Sequence, residues 1–163
     1  MKTLFIGGVK SGKSRLAEEY ILKISDTPLY LATSEITDEE MQIKVLQHKL
    51  QRDEQFETIE EPLNILGEVN NTPKSVIIEC MTFWLNNMLY YNKSDEEIFL
   101  HVRELLALDN TIVFVLNDVG SGIIGADKET REFINLSGLL SQFIATECDE
   151  VYHVIAGIAS KIK

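Results

Sequence analysis

Positive charge is scarce in this chain. Fifteen lysines and arginines stand against 26 aspartates and glutamates, giving a net charge of −11 over 163 residues. A nucleic-acid surface needs clustered Lys and Arg to meet the phosphate backbone, so this balance argues against such a partner. Long hydrophobic runs are missing too. None approaches the roughly 20 residues that a membrane span requires, and the opening run Thr3-Leu4-Phe5-Ile6 is too short for a secretory leader. Cysteine is sparse: Cys80 and Cys148 lie far apart and make no metal-type pair. Two reduced, buried thiols are the expectation, and with them a cytoplasmic protein. Low-complexity stretches are absent while apolar residues make up 45% of the chain, so disorder is not expected. The length fits one folded domain spanning residues 1–163.

What the chain does have is concentrated near its start. Gly7-Gly8-Val9-Lys10-Ser11-Gly12-Lys13-Ser14 follows directly on the first apolar run and opens a helical pattern. That is the G-x-x-x-x-G-K-S loop in its required setting, strand before and helix after. Gly7, Gly8 and Gly12 admit backbone conformations that a Cβ would forbid, so successive N–H groups can turn inward. Together with the positive end of the helix they make a seat for an anion. Lys13 adds a point charge for the β- and γ-phosphates, and the Ser14 hydroxyl is a ligand for Mg²⁺. The few cations are scattered apart from Lys10, Lys13 and Arg15 around this loop. A positive pocket in a negative protein fits a small anion, and the loop identifies it as a nucleoside triphosphate.

Nearly continuous apolar runs recur at Thr3–Ile6, Leu29–Ala32, Ser75–Ile78, Thr111–Leu116 and Val151–Ala156. Runs of this kind are expected of strands covered on both faces. Between them the patterns are helical. Leu16, Ala17, Tyr20, Ile21 and Ile24 share one face after the loop. Thr37 with Glu40 forms a capping box opening a helix to about Arg52, and Ser94 with Glu97 forms another before Ile98, Val102, Leu105 and Leu106. The alternation predicts one doubly wound α/β domain of the P-loop NTPase kind, its mostly parallel sheet covered by helices on both faces.

Ligands in such sheets sit outside the carboxyl ends of the strands. Glu79 stands at one of these ends, after Val76-Ile77-Ile78, in the pattern of a carboxylate that holds the Mg²⁺ shell; the alternative is a solvated strand-end acid. Thr33 and Ser34 stand at another, where capping the next turn competes with ligand contact. Asn117-Asp118-Val119-Gly120-Ser121-Gly122 follows a third. Of the three histidines, His153 reads as a sheet residue and His101 as a surface one. His48 shares a helical face with Met41 and Val45, which by itself favours packing over catalysis. Its neighbours Lys49 and Arg52 add a second reading, because they would neutralise phosphates and keep the imidazole uncharged and nucleophilic.

Taken together, the ordered motifs resemble the bifunctional adenosylcobinamide kinase / adenosylcobinamide-phosphate guanylyltransferase family of cobalamin biosynthesis. The resemblance runs nearly end to end. It is carried by Gly7 to Arg15, Tyr30-Leu31-Ala32-Thr33-Ser34, Asp38-Glu39-Glu40-Met41 leading to His48-Lys49, Glu79-Cys80-Met81-Thr82, Asn117 to Ile123, Asp149-Glu150-Val151 and Ala156-Gly157-Ile158. It implies two reactions. A triphosphate, ATP or GTP, phosphorylates the aminopropanol hydroxyl of adenosylcobinamide. GTP then guanylylates a histidine, matched here by His48, and the GMP group passes to adenosylcobinamide phosphate to give adenosylcobinamide-GDP. The resemblance also implies that Thr33, Ser34, Lys49, Arg52, Glu60 and Thr82 contact the guanine nucleotide, and that the protein is a homotrimer.

The chain departs from the family pattern at several positions. Lys10 replaces a usual Arg and loses its planar fork; Asp118 replaces Glu, and Gly125 replaces Pro. In the last long helix, Ile134, Asn135 and Ser141 stand where the family has a cation, a carboxylate and an amide. Two alternatives stand beside the bifunctional enzyme: a P-loop small-molecule kinase without nucleotidyl transfer, in which His48 is only structural, or, given the altered last helix, a catalytically silent GTP-binding protein.

Overall fold

A computed structural model describes residues 1–35, 55–121 and 125–163. Seven strands among them form one sheet: β1 (Lys2–Gly7), β2 (Leu29–Ala32), β3 (Glu57–Glu60), β4 (Val76–Glu79), β5 (Ile112–Asn117), β6 (Glu150–Ile155) and β7 (Ile158–Lys161), in the spatial order β3-β2-β4-β5-β1-β6-β7. All pairings are parallel except the hairpin of β6 with β7. The described helices are α1 (Lys13–Ile21), α2 (Ile65–Asn70), α3 (Met81–Tyr90), α4 (Asp95–Ala107) and α5 (Lys128–Glu147).

Strand burial follows from double coverage. In β5, Ile112, Val113, Phe114, Val115 and Leu116 are all at most 1% exposed, which only a strand sandwiched on both faces achieves. Its alternating side chains serve two cores. Ile112, Phe114 and Leu116 join Leu4, Ile78, Trp84, Leu85, Ile98, Val102 and Leu140 in the larger one. Val113 and Val115 join Phe5, Ala17, Ile21, Tyr30, Ile77 and Val154 in the smaller one, under α1.

The expected strands are present with boundaries moved by one residue at most ends. The run read as Val151–Ala156 ends at Ile155, because Ala156 has φ 51° and turns the chain into β7. That hairpin and β3 are additions to the sequence reading. β3, Glu57-Thr58-Ile59-Glu60, is a polar edge strand with one aliphatic side chain, too short and too charged to stand out as a buried run. The α1 stripe is shorter than expected. The helix stops at Ile21, and Ile24 beyond it is 46% exposed. Ser94 and Glu97 do form the expected capping box at the start of α4. Both cysteines are free and buried. The helix expected from Thr37 to Arg52 lies outside the described residues.

Candidate active site

β1 ends at Gly7 and α1 begins at Lys13, so the loop between them spans the centre of the sheet's carboxyl edge. Gly7 is in register with Asn117 of β5 on one side and Val154 of β6 on the other. The backbone there leaves no room for a side chain: a Cβ on Gly7 would lie 2.3 Å from the Val154 carbonyl oxygen. The loop closes on itself through Ser11 N–H to the Gly8 carbonyl, 3.2 Å, and Gly12 turns into the helix with φ 93°. α1 has no side-chain cap and no acid in its first turn. The amides of Gly12, Lys13 and Ser14 meet no acceptor among the described residues. Uncapped first-turn amides with the positive end of the helix dipole behind them form an anion site.

Two side chains converge on this seat. Lys13 is 6% exposed, and its ammonium reaches the Gly8 carbonyl at 3.3 Å. A lysine that shielded, with a single carbonyl as its partner among the described residues, has donors left for phosphate oxygens. Ser11 is 8% exposed and its hydroxyl has no hydrogen-bond partner among the described residues, which is the condition of a polar group that completes its bonding on a ligand.

Ser14 and Glu79, the two residues read as Mg²⁺ ligands, stand in direct contact. Ser14 Oγ donates to Glu79 Oε1 at 2.8 Å, joining the first turn of α1 to the end of β4. A hydroxyl and a carboxylate are the oxygen donors Mg²⁺ favours, and Mg²⁺ draws its remaining ligands from phosphate and water. Among the described residues no group of three or more His, Cys, Asp or Glu forms a metal cage. The set fits an ion brought in with a triphosphate and does not fit a resident one.

Thr33 and Thr82 sit at the same edge but spend their bonds on backbone. Thr33 is fully buried; its hydroxyl donates to the Cys80 carbonyl at 2.7 Å and accepts the Cys80 N–H at 2.8 Å. It ties the end of β2 to the turn carrying Glu79. Thr82 Oγ1 accepts the Asn117 N–H at 2.8 Å, leaving its own proton to donate. Ser34 follows Thr33 and is half-buried. Glu60 ends β3 in register with Ala32, itself in register with Glu79, so the two acids are about 10 Å apart across two strand spacings. Val9 and Lys10 are exposed at the loop tip, and Lys10 is left-handed with φ 61°. His48, Lys49 and Arg52 lie outside the described residues.

Asn87 is a site-supporting residue that the sequence reading did not single out. Buried on α3, its amide donates to the Thr33 carbonyl at 2.7 Å and to that of Pro62 at 3.1 Å. The available signal was an amide inside an apolar helical stripe. Burial first, and then the neighbouring Glu79 charge, push the thiol pKa of Cys80 up, away from the thiolate form. His101 is not a surface residue as read. It packs on Trp84 at 5.1 Å, and its Nε2 accepts the Leu66 N–H at 3.1 Å. Asp118 is occupied with its own turn, accepting the Gly120 and Ser121 amides.

The family model described as cobinamide kinase / cobinamide phosphate guanyltransferase matches residues 3–162. The bifunctional adenosylcobalamin biosynthesis protein CobP of Pseudomonas aeruginosa is 30% identical over 169 aligned positions, covering all of this chain and 98% of the relative. The bifunctional adenosylcobalamin biosynthesis proteins CobU of Escherichia coli K12 and of Salmonella typhimurium LT2 are 33% and 34% identical, with both chains covered in full.

Proposed function

The chain belongs to the cobinamide kinase / cobinamide phosphate guanyltransferase family and is a bifunctional enzyme of that kind; from that premise we propose how its residues divide the work. The observation that carries this reading is the Ser14–Glu79 contact beside the uncapped start of α1. It sets a cation position and an anion seat side by side, the arrangement needed to hold a triphosphate for displacement at phosphorus.

In the kinase step the triphosphate, ATP or GTP, lies with its β- and γ-phosphates on the amides of Gly12, Lys13 and Ser14. The aminopropanol hydroxyl of adenosylcobinamide attacks the γ-phosphorus, its proton leaves, and the bond to the nucleoside diphosphate breaks. Lys13 offsets charge on the departing oxygens. Ser14 Oγ and Glu79 are the residues that would hold Mg²⁺, which would supply positive charge beside the phosphates. In the guanylyl step a ring nitrogen of His48 attacks the α-phosphorus of GTP and pyrophosphate leaves on the same loop. A phosphate oxygen of adenosylcobinamide phosphate then displaces the histidine, giving adenosylcobinamide-GDP. Ser34, Lys49, Arg52, Glu60 and Thr82 contact the nucleotide. Thr33 acts through the clamp that fixes Glu79.

A homotrimer is part of the proposal, supported by the family and by apolar side chains left exposed, among them Tyr90, Leu139, Ile158 and Ile162. A cytoplasmic setting is supported by two free, buried thiols. No helix among the described residues is long and apolar enough to cross a membrane.

Phosphorylation of adenosylcobinamide with labelled γ-phosphate tests the division of roles. The wild type transfers label, and Lys13→Ala lowers kcat/KM by about a hundredfold or more. An unchanged rate in that variant would remove the loop from the reaction.

A further inference from the structure

We propose that Gly157, in the turn joining β6 to β7, is a positioning residue that holds the phosphate loop in its anion-binding form. The inference rests on the reading of that loop as the triphosphate seat. Ile155 and Ile158 face each other in the hairpin register, leaving Ala156 and Gly157 as a two-residue turn. Both are left-handed, with φ 51° and 82°, the geometry that matches the twist of paired strands. In such a turn the hairpin's closing bond is made by the residues on either side. The N–H of the second turn residue is therefore free for an outside acceptor.

That acceptor is the phosphate loop. Gly157 N–H donates to the Ser11 carbonyl at 2.7 Å. The Ser11 carbonyl shares a planar trans peptide with the Gly12 N–H, and the two point in opposite directions. Pinning the oxygen to the hairpin therefore turns the Gly12 N–H away from it, into the seat where the Gly12, Lys13 and Ser14 amides meet no acceptor among the described residues. The bond also polarises the peptide, which strengthens the same N–H as a donor.

The hairpin lies against the two ends of the loop. A Cβ on Gly12 would come 3.2 Å from the Gly157 Cα, and one on Gly7 would strike the Val154 carbonyl. Gly7 and Gly12 are therefore required by contact with the hairpin as well as by the phosphates. Around Gly157 itself there is open space for a Cβ, with no atom of the described residues within 4 Å. A side chain at 157 would thus act through φ alone. A β-branched residue resists the left-handed region strongly, whereas asparagine tolerates it.

This permits a matched pair of variants in the full chain. Affinity for Mg-pyrophosphate and for MgGTP is measured by calorimetry, at a temperature where each variant is folded by circular dichroism. Gly157→Val is expected to weaken both by roughly tenfold, the order of one hydrogen bond to a charged ligand. Gly157→Asn, which keeps the turn, stays within about twofold of wild type. Equal affinity in folded Gly157→Val would overturn the proposal. Should that variant not fold, the wild type still decides. With ¹⁵N,¹³C-labelled protein, the Gly157 amide should show scalar coupling to the Ser11 carbonyl carbon and move downfield as pyrophosphate is added. An amide resonance that neither couples nor moves would overturn it. Wild type that binds neither pyrophosphate nor GTP would instead contradict the nucleotide reading on which it rests.

Discussion

At the scale of single residues, the site depends on atoms that are missing as much as on atoms that are present. Gly7→Ala places a Cβ 2.3 Å from a backbone oxygen of β6, which has no flexible end to yield. The expected result is a lower melting temperature together with loss of GTP binding, read by calorimetry with and without nucleotide. Glu79→Gln removes the charge beside Ser14 and keeps the shape. It should lower kcat by about a hundredfold and raise the Mg²⁺ concentration for half-maximal rate, with little change in thermal stability. A rate that stays at the wild-type Mg²⁺ optimum would return Glu79 to an ordinary strand-end acid. These positions stood out as candidates in the sequence because phosphate chemistry restricts which residues serve it. Thr33 was less so: its type announces a hydroxyl, but only the fold shows that both of its bonds go to Cys80.

Elements carry the second layer. α4 opens with a reciprocal capping box, Ser94 to Glu97 and back. Ser94→Ala should cost about 1 kcal/mol, roughly 2–4 °C in melting temperature, and leave GTP affinity unchanged. His101, nearly two turns into the same helix, takes the Leu66 N–H of α2 on its Nε2 and is therefore neutral there. Burial lowers its pKa below the usual 6.5, against the opposing pull of Glu104. A histidine with a depressed folded pKa contributes stability that is present above pH 6.5 and is lost as pH falls below it. Urea midpoints followed by Trp84 fluorescence should fall between pH 7.5 and 5.5, and His101→Leu should show a smaller fall. Equal slopes in the two proteins would contradict the assignment. Elements were readable where periodicity was strong, as in the five apolar strands. β3 and β7 were not, because edge strands are short and partly solvated, and their pairing is decided by the neighbour.

For the molecule as a whole, the sheet is fastened at the end opposite the site. Glu150 at the start of β6 accepts hydrogen bonds from Lys161 of β7 at 2.5 Å, Tyr20 of α1 at 2.7 Å and Tyr152 at 3.0 Å. Lys161 first, then the two tyrosines, hold its pKa down to about 2. A carboxylate depressed in the fold stabilises above its unfolded value of about 4.5 and loses that contribution as pH falls toward 2. Glu150→Gln should therefore be less stable than wild type at pH 7, with the gap closing across that acid window in urea titrations. A gap that persisted unchanged at pH 2 would place the effect in packing and not in charge. Global architecture was the most legible level of all. Alternating apolar runs and helical stripes, led by a phosphate loop, leave few topologies open. The braced contact between Gly157 and Ser11 was illegible, since it joins residues 146 positions apart through backbone atoms whose identity no side chain reports.

The central claim is that the triphosphate held by this loop hands its GMP portion to His48. Intact-protein mass after incubation with GTP and Mg²⁺ tests it directly, for wild type and His48→Ala. A gain of one GMP in the wild type that is absent in the variant is the predicted result. No gain in wild type shown to bind GTP, or the same gain in His48→Ala, would contradict it.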